Sequence, residues 1–190
     1  MSDRVEEIIN EVLKSEGGYQ NDEADSRGNT NSAGVRVGTN FGISAPVWEK
    51  VIGRPPTVAD MQGITKDQAR EVYRRHYSSE VVNKYGLQED NPIYPQVVDM
   101  YVNHSPPAVT SMLQRVYGAT ADGHTGPKTR AAIAAGGDRN NALVDERKKY
   151  YESLMQRDPK LEKYRNGWMD RAEGFRPAGQ VFGLDLNAAP

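Results

Sequence analysis

Cysteine is absent from the 190-residue chain, which excludes disulfides, a thiolate nucleophile and any cysteine-ligated metal site. Long hydrophobic runs are absent too: no segment reaches the roughly 18 consecutive apolar residues of a membrane helix, so no stable membrane insertion is expected. Neither sign of charge dominates. The 24 Lys and Arg against 26 Asp and Glu give a net charge of −2, no footprint for nucleic acid or an anionic membrane. The basic clusters at Arg74-Arg75-His76 and Arg147-Lys148-Lys149 stand beside acidic residues and read as solvated helix faces. His76, His104 and His124 are far apart and lack ligand spacing, so no metal is expected. Gly123 to Gly126 lacks the Gly-Lys-Ser/Thr ending of a phosphate loop. No cofactor is expected either.

What remains is an ordinary globular composition, 37% hydrophobic and 26% charged, enough for one sizeable domain or two lobes with a cleft. The opening Met1-Ser2-Asp3-Arg4-Val5 carries no apolar run of the signal-peptide kind. The expectation is synthesis in the host cytoplasm.

Val5, Ile8, Ile9, Val12 and Leu13 recur at i, i+3, i+4, i+7 and i+8, one apolar helix stripe. Gly17-Gly18 releases the chain, which leaves Glu16 at the helix end. Residues 20–40 are polar and too long for an idle connection, so a function or a short hairpin is expected there. Ser44 or Pro46 opens a helix through Trp48 and Val51. Pro55, Pro56 and Thr57 break the chain, and Thr65-Lys66-Asp67-Gln68 has the form of a capped helix start. Helical patterns follow over 97–102, broken or kinked at Pro106-Pro107, then over 109–116, 128–135, 141–157 and around Trp168. Asp122 to Pro127 has the composition of a tight turn. The expected lobes are 1–90, carrying the acid and a hairpin, and 91–175, helical. The tail 176–190 is expected to be mobile.

Cleaving a glycosidic bond needs one carboxylic acid to protonate the leaving oxygen and a second group to handle water. A glutamate at a helix end beside glycines suits the first role: partial burial holds it protonated, and missing side chains admit a bulky substrate. Asp25 follows nine positions later in a Gly/Asp/Asn-rich segment, and Thr39 later still. As plain turn chemistry, Asp22 and Asp25 could equally cap turns. Tyr19 is a candidate for stacking on a sugar, whereas Phe41 reads as a core aromatic. Asp99 and Asn103 share a helix face, suited either to sugar contacts or to buried bonds with neighbouring backbone.

Together these residues resemble a known family. Glu16-Gly17-Gly18-Tyr19-Gln20-Asn21-Asp22, the stretch Thr39 to Ser44 and Tyr73-Arg74-Arg75-His76-Tyr77 are similar to glycoside hydrolase family 108 phage-type endolysins. Asp99, Asn103, Leu113-Gln114, Asp122-Gly123, Gly126-Pro127-Lys128-Thr129 and Gly167-Trp168-Met169-Asp170-Arg171 resemble the peptidoglycan-binding segment attached to them. The resemblance implies an α+β, lysozyme-like fold, mainly helical, with a small β-hairpin next to the active-site cleft. It implies an N-acetylmuramidase that hydrolyses the β-1,4 bond between N-acetylmuramic acid and N-acetylglucosamine. Glu16 would be the acid, Asp25 the water-handling carboxylate and Thr39 a residue that helps hold the water. Tyr19, Asn40, Asp99 and Asn103 would contact substrate. The implied partners are peptidoglycan glycan strands in the periplasm, reached with a holin or secretion system.

Two departures stand out. Ser26 to Gly38 carries extra residues, among them Gly28-Asn29-Thr30-Asn31-Ser32, which makes Thr30 a rival to Thr39. Ser78 stands where the family commonly has tryptophan. Rival activities are a lytic transglycosylase or chitinase-like hydrolase on the same fold, or a wall-binding module without catalysis.

Overall fold

The computed structural model describes residues 3–21, 26–177, 180–181 and 184–185. The chain divides into two compact units, Met1–Ser79 and Glu80–Pro190, with the division inside one helix.

In the first unit the apolar stripe forms α1 (Asp3–Ser15), and Val5, Ile8, Ile9, Val12 and Leu13 are all buried. Each such burial stabilises the fold by roughly 1.5–3 kcal/mol. A short helix, α2 (Ser26–Asn29), precedes α3 (Ala45–Ile52), which has Pro46 in its first turn and ends at Gly53. Thr57 does more than break the chain. Its hydroxyl accepts from the Asp60 amide while the Asp60 carboxylate accepts from the Thr57 amide, a capping box that starts α4 (Val58–Gln62). Thr65 and Gln68 make the same exchange at the head of α5 (Lys66–Tyr85), with bonds of 2.9 and 3.2 Å. Arg74 on α5 reaches Glu6 on α1 at 2.6 and 3.0 Å, and Arg70 reaches Asn10, so the two helices are tied side by side.

The hairpin expected beside the acid does not form as paired strands. Among the described residues, the strand pairing of 20–43 is limited to isolated bridges: Gln20 with Thr39, Thr30 with Arg36, and Asn40 with Ile43. The physical reason lies in two buried asparagines of the inserted run. The Asn29 carbonyl accepts from the amides of Val37 and Gly38. The Asn31 side chain accepts from the amides of Ala33 and Val35 and donates to the Pro56 carbonyl at 2.9 Å. Two amides thus share the single Asn29 carbonyl, and the Asn31 side chain takes the Ala33 and Val35 amides, so the regular alternation of a strand ladder is broken.

The second unit continues from the end of α5 into α6 (Tyr94–Asn103), α7 (Pro106–Val116), α8 (Pro127–Ala135), α9 (Asn140–Arg157), a 3-10 turn (Pro159–Tyr164) and α10 (Arg165–Glu173). Pro106 separates α6 from α7 because it has no amide to continue the helix and its fixed φ suits a first turn. Buried apolar residues include Val97, Val98 and Met100 of α6, Val109, Met112 and Leu113 of α7, and Leu143 and Val144 of α9, while Tyr151 and Met155 of α9 cluster with Ala172 of α10. Trp168 of α10 stacks on Tyr151 and Tyr164, with ring centroids 5.0 and 5.6 Å apart. In the tail, β1 (Gln180–Val181) pairs antiparallel with β2 (Leu184–Asp185). No helix among the described residues is long and apolar enough to cross a membrane.

Candidate active site

Glu16 lies one residue past α1, its amide still donating to the Val12 carbonyl at 2.8 Å. The residue is exposed rather than partly buried. Among the described residues, apart from its chain neighbours, none lies within 4 Å of where a side chain would start at Gly17 or Gly18, so on that side the described structure leaves open space.

A tight turn faces the carboxyl. Asn40 and Ile43 exchange both backbone hydrogen bonds, at 2.8 and 3.2 Å, around Phe41 (φ 50°) and Gly42 (φ 70°). Two consecutive positive φ values are the mark of a two-residue type I′ turn. Glycine accepts that conformation, while phenylalanine pays roughly 1–2 kcal/mol for it. A Cβ at Gly42 would stand 2.5 Å from Glu16 Oε2 and 2.5 Å from the Tyr73 hydroxyl. Only a glycine lets the three groups come together.

Tyr73, from α5, donates its hydroxyl to the Phe41 carbonyl at 2.7 Å. Its ring stacks on Tyr77 at 5.9 Å. Burial, then the negative charge of Glu16, then Tyr77 hold the Tyr73 phenol well above its ordinary pKa. Burial and Glu16 push Tyr77 up to about 12. Both phenols therefore stay protonated under all working conditions, and Tyr73 remains a donor to the turn.

The other expected residues fall into three groups. Asp25, with Asp22, lies outside the described residues. Thr39 is buried, pairs with Gln20 through both backbone bonds and donates its hydroxyl to Asn29 Oδ1 at 2.7 Å. Asn40 is buried and donates to the carbonyls of Met61 and Gln62 at the end of α4. Tyr19 is half-buried, its hydroxyl on the Val37 carbonyl at 3.1 Å and its ring against Gly38, where a Cβ would come within 2.7 Å.

Asp99 and Asn103 belong to the second unit. Asp99 is 2% exposed, and its oxygens are held by Arg147 at 2.5 Å and Arg171 at 2.7 Å. Asn103 is exposed, with its amide on the Asp99 carbonyl. The Asp99 carboxylate is thus bonded to two distant arginine side chains, while Asn103 is bonded to neighbouring backbone. Sequence reasoning missed Tyr73, Gly42 and Asn29 as residues of the site. The signals for the first were its place in the family-like stretch Tyr73 to Tyr77 and the i, i+4 spacing of the two tyrosines.

A helix-end glutamate open to solvent, set against a backbone turn, is the layout of a lysozyme-like glycoside hydrolase. Residues 9–105 match the family Glycosyl hydrolase 108, and residues 108–173 match a Predicted Peptidoglycan domain. The chain belongs to the glycosyl hydrolase 108 family, and it is a peptidoglycan-hydrolysing N-acetylmuramidase. It is similar to a solved structure, "Structure of Brucella abortus SagA", with a TM-score of 0.51 and 26% identity, over 90% of this chain and 90% of that one. No curated protein matches it.

Proposed function

We propose that Glu16 is the general acid of an inverting muramidase, Asp25 the base and Thr39 a positioning residue for the attacking water. Glu16 protonates the glycosidic oxygen, Asp25 takes a proton from water, and the water oxygen attacks the anomeric carbon of N-acetylmuramic acid. The products are a reducing muramic acid end and a glucosamine end with a free 4-hydroxyl.

The observation that carries this reading is the placing of the Glu16 carboxyl against Gly42 of the Asn40–Ile43 turn, which Tyr73 also approaches, beside space at Gly17 and Gly18 that the described residues leave open. A glycan strand laid over that space would bury the carboxyl and supply the desolvation that the free enzyme lacks. The bridge between Gln20 and Thr39 favours Thr39 over Thr30, since it brings Thr39 beside the segment that leaves Glu16. Tyr19 remains the candidate sugar platform. An inverting pair stands ~6.5–9.5 Å apart, leaving room for the water.

A phage or prophage lysis system, in which a holin or secretion apparatus opens the way to the periplasm, is the setting we propose. Mass spectrometry of digested sacculi tests the chemistry. Borohydride-reducible muramic ends are expected. Anhydromuramic ends would make the protein a transglycosylase, and reducing glucosamine ends a glucosaminidase.

A further inference from the structure

Four motif residues of the second unit that the chemistry does not use, Gln114, Asp122, Gly123 and Thr129, meet at one exposed turn, Asp122–His124. Gln114, buried on α7, pins that turn. Its Nε2 donates to Asp122 Oδ1 at 2.8 Å, to the His124 carbonyl at 3.0 Å and to Thr129 Oγ1 at 3.1 Å, and its Oε1 accepts from the Gly123 amide at 3.0 Å. Gly123 (φ 74°) sits so close to α7 that a Cβ would come within 3.3 Å of the Pro107 carbonyl and of Ser111.

The pinned turn separates two cavities, and Asp122 lines both. One, of about 680 Å³, is lined by Thr120, His124, Lys128 and Thr129. The other, of about 460 Å³, is lined by Ser111, Lys149, Tyr150, Ser153 and Arg157.

Each cavity presents a cation to a ligand: Lys128 beside Asp122 in the first, and Arg115, Lys149 and Arg157 against Asp122 and Glu146 in the second. Asp122 is held by the His124 amide and by Gln114, and Glu146 is paired with Arg115 at 3.1 Å. Lys128 and Lys149 are exposed and have no acidic partner among the described residues. All the residues that line the two cavities, except Pro107, lie within the stretch that matches a peptidoglycan domain.

We propose that these two cavities form the wall-binding site of the second unit, and that Lys128 and Lys149 engage the carboxylates of peptidoglycan peptide stems. The site recognises the stems rather than the sugar backbone. This rests on the reading of the chain as a peptidoglycan hydrolase.

The test uses the full chain carrying Glu16→Gln, which holds the wall without cutting it, and sacculi free of teichoic acid. Adding Lys128→Glu and Lys149→Glu is expected to weaken binding to sacculi by at least about 10-fold, with circular dichroism unchanged. Stripping the stems with an amidase should weaken binding of the parent to a similar degree, and added salt should weaken the intact interaction. A charge-matched control, Lys160→Glu with Lys163→Glu, lines neither cavity and should bind as the parent does. Equal binding by the site variant and the parent would overturn the proposal, as would full binding to stripped strands or an equal loss in the control. In each case cutting of the same sacculi by the wild-type chain shows that the hydrolase reading survives. A wild-type chain that neither cuts nor binds would overturn both.

Discussion

The Tyr73 hydroxyl donates to the carbonyl of Phe41, a residue held at φ 50°, and so fixes the turn against which the Glu16 carboxyl lies. A strained residue persists only where its surroundings over-determine it. Here the surroundings are the Tyr73 hydroxyl on one side and the paired Asn40 and Ile43 backbones on the other.

Loosening this turn should damage turnover more than binding. Tyr73→Phe is expected to lower kcat by about 10-fold with KM within about twofold, because a misplaced reacting group costs rate rather than affinity. Its melting temperature should barely move, since one hydrogen bond contributes only about 1 kcal/mol. Gly42→Ala should be worse, because its methyl occupies the place of the Glu16 carboxyl. Kinetics on soluble glycan oligomers check both. A Tyr73→Phe enzyme with normal kcat would remove Tyr73 from the account.

The two rival threonines, Thr30 inside the inserted segment and Thr39 just after it, should separate cleanly. Thr39→Ala should lose far more activity than Thr30→Ala, and should also lose about 1–3 kcal/mol of stability by leaving the buried Asn29 side chain short of a donor. Activity and urea denaturation of both variants measure this. A weaker Thr30→Ala enzyme would move the water site to Thr30.

How far the sequence carried the reading depends on the kind of signal. The stripe from Val5 to Leu13 and the Thr65/Gln68 cap were legible because helix periodicity and capping boxes are local. The same logic would have found α4 from Thr57 and Asp60, but Pro55-Pro56 suggested only a break. The segment 20–43 was not legible. Asn29 and Asn31 look like ordinary turn formers in a polar run, and only tertiary burial shows their side chains bonded to Thr39 and to Pro56. Asp99 was visible as a residue of note, yet its partners Arg147 and Arg171 lie 48 and 72 positions away.

Asp99 gives a stability prediction. Asp99→Asn leaves Arg147, which is fully buried, without its countercharge and should cost roughly 3–5 kcal/mol in urea unfolding. Below the unfolding midpoint the variant should still cut peptidoglycan. Lost activity with unchanged stability would instead place Asp99 on the substrate.

His104 should make the fold acid-sensitive. Burial, then the positive charge of Arg147, lower its pKa from the usual 6.5 to about 4, with Asp99 opposing and Arg171 assisting. Its Nε2 accepts from Arg147 and faces the Tyr151 hydroxyl, both at 3.3 Å, so the folded state holds the neutral ring. The unfolded chain takes up the proton first. Stability from this group is therefore complete above about 6.5 and is lost as pH falls through about 4. His104→Gln should flatten melting temperature against pH in that window, and an unchanged slope would contradict the assignment.

The most direct test of the central claim is lysis of purified sacculi by Glu16→Gln. The substitution keeps the size and shape of a side chain that is exposed and lies outside the core, so circular dichroism and melting temperature should match the wild type. Turbidity clearing should fall by at least ~100-fold, the scale for loss of a general acid. A folded Glu16→Gln protein that clears sacculi at the wild-type rate would contradict the account.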